Sequence, residues 1–238
     1  MKEGLTEIVV VVDKSGSMES IRKDTIGGFN AFLKSQKEIE GEATITLVLF
    51  DTAYNVIYQS INIQTAAELT EKTYIPNGGT ALYDAFGQAM KMTKKRIESL
   101  PEEEKPSKIF FAVLTDGEEN SSKIVNKEGQ RKYTKESIFE KVNQLQKGNY
   151  IFIYLGANQD AMQVGTGMGF YANNTVSYSA DSRGMSASMD SMSNYSKSYR
   201  VSNLSSQDFA AQADLGTLYE QSLEKQDKEE EKKEEVKP

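Results

Sequence analysis

Residues 13 to 17 read Asp13-Lys14-Ser15-Gly16-Ser17 and follow directly on the apolar run Ile8-Val9-Val10-Val11-Val12. A carboxylate and two hydroxyls therefore hang from the end of what an unbroken row of Val and Ile predicts to be a buried parallel strand. Oxygen donors of this kind suit a hard divalent cation, and in open α/β sheets the ligand crevice lies beyond the carboxyl ends of the strands. The pentapeptide alone is ambiguous, because Asp, Ser and Gly after a strand also turn the chain and cap the next helix. Two distant segments strengthen the metal reading. Asn77-Gly78-Gly79-Thr80 opens an amphipathic helix and Leu114-Thr115-Asp116-Gly117 closes a second apolar strand, so each places another oxygen ligand at the end of an element.

At these residues the chain resembles the von Willebrand factor A family, whose metal-ion-dependent adhesion site combines Asp-x-Ser-x-Ser, a Thr from a later loop and an Asp after the fourth strand. The resemblance implies that Ser15, Ser17 and Thr80 coordinate a cation through hydroxyl oxygens, with Asp13 and Asp116 close by and often acting through water. The implied ion is Mg²⁺, with Mn²⁺ or Ca²⁺ as alternatives. The phrases Gly79-Thr80-Ala81-Leu82-Tyr83-Asp84-Ala85 and Thr115-Asp116-Gly117-Glu118-Glu119-Asn120 are similar to free-standing bacterial and phage members, and the resemblance runs from about residue 5 to about residue 200. It implies a Rossmann-like, doubly wound α/β fold: a mainly parallel six-stranded sheet with one antiparallel edge strand and helices on both faces.

Mg²⁺ takes about six oxygen ligands in a nearly octahedral arrangement at about 2.0 to 2.1 Å. Three neutral hydroxyls, with two carboxylates standing behind water, leave a position for an acidic oxygen from outside. The expected function is thus a metal-dependent protein-binding module that recognises an Asp or Glu side chain of a partner protein, not an enzyme, with no organic cofactor. Intracellular members of the family often work beside ATPases or in stress-resistance and phage-associated systems, and the resemblance implies a partner of that kind.

Two other readings use the same residues. A phosphohydrolase of the haloacid dehalogenase type would make Asp13 a nucleophile, but it needs an acid two residues on, where Ser15 stands. A scaffold could keep the pattern and bind no functional metal.

Composition narrows the setting. The chain of 238 residues has 28 Lys+Arg against 35 Asp+Glu, a net charge of -7, which argues against nucleic acid as the main partner because phosphate contacts need a basic surface. It has no cysteine and no histidine, so disulfides, thiolate ligands and the commonest general base are all excluded. Met1-Lys2-Glu3-Gly4 leads straight into the first strand without a basic n-region, and no run reaches the roughly 20 apolar residues of a membrane helix, so a soluble cytoplasmic protein is expected.

The elements that must position the ligands alternate along the chain. Ile21, Thr25, Phe29, Phe32 and Leu33 recur at helical spacing despite Gly27-Gly28, and residues 44–50 and 55–63 read as a hairpin. Residues 80–100 form the clearest helix, with Leu82, Ala85, Phe86, Ala89, Met90, Thr93 and Ile97 on one stripe. Strands are expected at 109–114, 150–155 and 174–178, with a helix capped by Thr134 between the first two. A helix over 181–199 carries Met185, Met189, Met192, Tyr195 and Tyr199 inward, with a serine-rich opposite side that weakens its helix propensity.

Gly165-Thr166-Gly167-Met168-Gly169 reads as a flexible connection. Asp84 is placed to accept a hydrogen bond from the ligand loop. Glu118, Glu119 and Asn120 read as a solvated loop and helix cap, and Asp51 as a turn residue. The domain assignment is residues 1–202 for the sheet domain. Residues 203–238 are assigned to a C-terminal helix and a charged, disordered tail.

Overall fold

A computed structural model describes residues 1–157 and 160–235. Six strands make one sheet: β1 (Lys2–Asp13), β2 (Glu42–Phe50), β3 (Tyr54–Asn62), β4 (Pro106–Thr115), β5 (Tyr150–Ala157) and β6 (Thr175–Tyr178), in the order β3-β2-β1-β4-β5-β6. All neighbours are parallel except β2 and β3, the hairpin pair whose second strand forms the edge. The helices are α1 (Arg22–Lys37), α2 (Leu82–Glu98), α3 (Lys135–Gln146), α4 (Ala161–Gly167), α5 (Ser182–Val201), α6 (Ser206–Gln212) and α7 (Leu215–Glu235). This is the expected doubly wound α/β architecture.

β1 is central, and its Ile8 to Val12 are all completely buried. The side-chain period of two sends Ile8, Val10 and Val12 to the core packed by α1, α5 and α6, and Val9 and Val11 to the core packed by α2, α3 and α4. Each such side chain contributes about 1.5 to 3 kcal/mol on burial, so the strand that ends in Asp13 is held from both sides. Besides Asp13, the strand buries one other charged residue, Glu7, toward the opposite end from the loops that follow β1. Its carboxylate pairs with Arg96 at 2.6 Å and accepts hydroxyls from Thr44, Thr46 and Ser60. Both of its oxygens accept from the protein, as a buried carboxylate requires.

α1 and α5 approach closely. A methyl on Gly28 would stand 2.6 Å from Cγ of Met189, so the Gly27-Gly28 pair that weakens the helical pattern is what lets the two helices meet. The serines of α5 are not all on a solvated side. Ser188, Ser191 and Ser196 are fully buried, the first two returning their hydroxyls to the carbonyls of Met185 and Ser188. Ser196 donates instead to the Gln36 side chain at 3.0 Å, across to α1. Small residues that satisfy their own polar atoms allow tight helix packing while Met185, Met189, Met192, Tyr195 and Tyr199 fill the core as expected.

Two expectations change. The glycine-rich stretch at 165–169 is not simply a connection, because residues up to Gly167 belong to α4, capped by Asp160, whose side chain accepts the Gln163 amide at 2.9 Å. The glycines serve packing there: a methyl on Gly165 would meet the Thr175 side chain at 2.4 Å. The residues after 203 put Phe209, Ala210 and Leu215 into the same core as α1 and α5, and the charged run from Glu224 continues the last helix to Glu235. Residues 236–238 of the expected tail lie outside the described residues. Among the described residues no helix is long and apolar enough to cross a membrane.

The close contact at Gly28 generates a paired expectation for denaturant unfolding. Gly28→Val should lower stability by about 1 to 3 kcal/mol through overpacking against Met189. The neighbouring Gly27→Ala, with nothing within 4 Å of the added methyl, should raise it by about 0.5 to 1 kcal/mol through helix propensity alone. Equal effects at the two positions would contradict the packing described.

Candidate metal centre

The site is built at the carboxyl end of the two central strands. In-register pairing of Val12 with Leu114 brings the next residues, Asp13 and Thr115, side by side, and the Thr115 hydroxyl donates to Oδ2 of Asp13 at 2.6 Å. Oδ1 of the same carboxylate accepts the Ser15 amide at 2.7 Å. Asp13 is completely buried, and its backbone carbonyl accepts the hydroxyl of buried Tyr74 at 2.6 Å. Both carboxylate oxygens are thus committed to the protein, one fixing the turn at Ser15 and one fixing the end of β4.

The turn carries Ser15 inward and Ser17 outward. Their hydroxyl oxygens stand 3.1 Å apart, and Ser17 donates its proton to Oδ1 of Asp116 at 2.7 Å. That bond turns the remaining lone pairs of Ser17 away from Asp116, where they can serve a cation. The Lys14 ammonium, which could have neutralised the cluster, pairs instead with Asp51. Asp51 is a turn residue as expected, its carboxylate also accepting the Ala53 amide at 2.5 Å.

The second loop is stitched to the first. The Gly16 amide donates to the Gly78 carbonyl at 3.0 Å, and the Asn77 amide donates to the Lys14 carbonyl at 2.8 Å. Gly78 sits at φ +69°, a left-handed conformation that favours glycine, and a methyl on Gly79 would fall 2.3 Å from the Ser121 hydroxyl. Thr80, which follows, is buried, and its hydroxyl lies so close to Gly117 that a methyl there would stand 2.7 Å from it and 3.7 Å from Oγ of Ser17. Thr80, Ser17 and the Asp116-Gly117 turn therefore converge on one point. All five sequence-selected residues, Asp13, Ser15, Ser17, Thr80 and Asp116, come together at one rim of the sheet.

The residues after Asp116 do two jobs. Asn120 accepts the Thr80 amide on its side-chain oxygen at 2.9 Å, and its own amide donates to the Thr80 carbonyl at 3.0 Å, clamping that residue from both sides. Glu119 accepts the Tyr83 amide at 2.9 Å, and Ser122 accepts the Asp84 amide at 3.0 Å, so the first turn of α2 is capped from a distant loop. Asp84 accepts from the same loop, at Lys123 and Ile124, as expected of it. Thr115, Tyr74 and the clamping role of Asn120 were missed in the sequence. Thr115 stood in view at the strand end, whereas Tyr74 and Asn120 act across gaps in the chain that leave no local signal.

Electrostatics and donor chemistry fit a divalent cation. Burial pushes the Asp13 carboxyl up to about 6, against the opposing hydrogen bonds from Thr115 and Ser15, and the neighbouring Asp116 adds to the rise. Burial likewise raises Asp116, which the Ser17 hydroxyl partly offsets. Two carboxylates with no cation of their own, together with three hydroxyl oxygens, make a hard, electron-rich oxygen set. Among the described residues no group of three or more acidic side chains could hold a metal, so any ion here rests on hydroxyls as much as on carboxylates. Ser17 is exposed and Asp116 half-buried, so the cluster opens to solvent on their side.

No family model and no curated protein matches the sequence. Solved structures do. A von Willebrand factor type A protein from Catenulispora acidiphila superposes at TM-score 0.55 with 18% identity, over 81% of this chain and 42% of that one. The manganese-loaded TRAP protein of Plasmodium vivax gives TM-score 0.55 at 19% identity, over 76% and 70% of the two chains. Proximal thread matrix protein 1 from the mussel byssus, with a zinc-occupied MIDAS motif, gives 0.52 at 14% identity, over 81% and 46%. This chain spans less than half the length of the first and third of these. At such identities the likeness is one of fold, and the fold is that of von Willebrand factor type A domains.

Proposed function

We propose that the protein is a metal-dependent binding module that captures an acidic side chain of a partner protein at the rim formed by Ser15, Ser17, Thr80, Asp13 and Asp116. The observation that carries this reading is the hydrogen bond from Ser17 to Asp116 beside the Thr80 hydroxyl, which joins three separated loops into one oxygen cluster open to solvent. A divalent cation held there, Mg²⁺ or Mn²⁺, supplies a coordination position for an outside carboxylate. Ser15, Ser17 and Thr80 offer it neutral lone pairs, and Asp116, by taking the Ser17 proton, aims one of them. Asp13 stands behind, one oxygen accepting from Ser15 and the other from Thr115, so it fixes both the turn and the end of β4.

Ser15, standing where a phosphohydrolase of the haloacid dehalogenase type needs an acid two residues after its nucleophile, favours binding over phosphoryl chemistry. Metal-loaded structural neighbours, one with manganese and one with zinc in its MIDAS motif, support a divalent ion. A cytoplasmic setting in a bacterial or phage system, beside an ATPase or a stress-resistance component, belongs to the same reading. It rests on the phrases around Thr80 and Asp116.

The test is thermal unfolding with and without metal. An ion that binds only the native state stabilises it by about 2.7 kcal/mol at about 100 times its dissociation constant. Millimolar Mg²⁺ or Mn²⁺ should therefore raise the melting temperature, and Ser15→Ala should abolish the rise. A melting temperature unmoved by either ion would overturn the proposal. Pull-downs with wild type and Asp116→Ala, each with and without chelator, should lose the same partner on either treatment.

Asn120 supplies a finer check, because it touches no ion and only fixes Thr80. By calorimetry Asn120→Ala should weaken Mg²⁺ binding by about 10- to 100-fold, as loss of a ligand-orienting partner does. Unchanged affinity would remove Thr80 from the ligand set.

A further inference from the structure

Away from the metal rim, positive charge collects along α2 in a chain whose net charge is -7. Lys91 and Lys95 stand exposed on the outer side of this helix. The segment 123–133 brings exposed Lys123 and Lys132 opposite them, and half-buried Lys141 of α3 closes the far end. Between these elements three depressions run into one another. The first, about 220 Å³, lies beside the start of α2 and is lined by Thr52, Ala81 and Asp84 among others. The second, about 260 Å³, shares Tyr54, Gln88 and Ile124 with it and adds Lys91 and Lys95. The third, about 370 Å³, shares Lys91, Lys132 and Tyr133 with the second and reaches Lys141. Shared walls make these one groove.

Its lysines lack counterions. Among the described residues none of Lys91, Lys95, Lys123, Lys132 and Lys141 forms an ion pair, whereas Lys94 on the same helix pairs with Glu98. The one acidic side chain lining the groove is Asp84, which is buried and accepts the Lys123 and Ile124 amides. The Tyr133 hydroxyl is buried there without a protein partner. Burial, with Lys94 nearby, holds the Lys141 ammonium below its ordinary range. Uncompensated ammonium groups around a concave surface call for an anionic occupant.

We infer that this groove docks a short acidic segment of a partner protein, rich in Asp and Glu, laid along α2. Lys91 and Lys95 lie about 14 and 20 Å from the first residue of the helix at the usual 1.5 Å per residue. An extended segment of about six residues covers that span at about 3.3 Å per residue. Nucleic acid fits less well. The Tyr133 ring packs against Gly87, where a methyl would stand 2.2 Å from Cδ1, and the Lys132 ammonium covers it at 5.1 Å from the centroid. A base stacking on that ring would have to displace the Lys132 ammonium. A long polyanion would also meet the acidic remainder of the molecule, while a short segment confined to the groove does not.

The inference is independent of the metal and is tested in its absence. A fluorescein-labelled decaglutamate peptide is titrated with the full chain in EDTA at low salt, followed by fluorescence anisotropy. Wild type should bind, with affinity falling as salt rises. The double variant Lys91→Glu/Lys132→Glu should bind at least about tenfold more weakly, and the control Lys23→Glu/Lys34→Glu, on α1 across the sheet, within about twofold of wild type. All four positions are exposed, and unchanged melting temperatures establish that the variants fold. No binding by wild type, equal loss in the control, or tighter binding of a single-stranded oligonucleotide of the same length would each overturn it.

Discussion

A carboxylate with no exposure at all, at the end of the central strand, is the constraint on which the rest of the site depends. Asp13 is expensive to bury, as the rise of its pKa to about 6 shows, and it is tolerated because each of its oxygens has a strong donor. Those same donors build the site. The Ser15 amide can reach Oδ1 only if the chain turns sharply after β1, and that turn points Ser15 and Ser17 at the rim. The Thr115 hydroxyl can reach Oδ2 only if β1 and β4 end in register, and that register brings Asp116 opposite Ser17. The hydrogen bonds that make a buried charge bearable therefore also set the spacing of the rim's oxygen donors.

The sheet supplies the rigidity that this arrangement needs. β1 is flanked by β2 and β4 and covered on both faces, so the end of the strand cannot shift without disturbing two cores. The loops beyond are tied to one another by backbone bonds, Gly16 to Gly78, Asn77 to Lys14 and Asn120 to Thr80. A set of hydroxyl ligands depends on such ties more than a set of carboxylates would, because neutral oxygens bind weakly one by one and must be presented together.

How far the sequence disclosed this follows from the range of each interaction. The strands and the long helix were legible because alternation and helical periodicity are local signals, and the five residues that meet at the rim were selected because they cluster in short phrases at element ends. The α4 helix was hidden by its glycines, which weaken local helix propensity but fit against Thr175 and Tyr154, neighbours that only the fold supplies. The burial of Ser188, Ser191 and Ser196 had no local signal for a similar reason, since it depends on Gly28 letting α1 come close. Glu119 and Asn120 read as a solvated loop and helix cap, and Glu119 does cap a helix, but that helix is α2, and with Asn120 it bonds Tyr83 and Thr80 across some forty positions of chain. No pattern in one sequence encodes such pairings.

The cap on α2 also bears on how an anion could be held at the rim. A helix N-terminus is itself a ready anion site, with free amides and the positive end of the dipole, and α2 begins just after Thr80. Here, however, the Tyr83 and Asp84 amides are already bonded to Glu119 and Ser122, and the Glu119 carboxylate sits against the positive end of the dipole. The helix has spent its attraction on the protein's own loop. With Asp13 and Asp116 facing the same rim and Lys14 drawn off to Asp51, nothing intrinsic to the rim attracts a foreign carboxylate. The proposed capture of an acidic side chain at this end of the sheet therefore requires an added cation, whereas along the outer side of α2 the proposed acidic segment meets lysines that form no ion pair. In the proposed readings one helix separates a metal-dependent anion site from a metal-independent one, and a chelator is the reagent that distinguishes them.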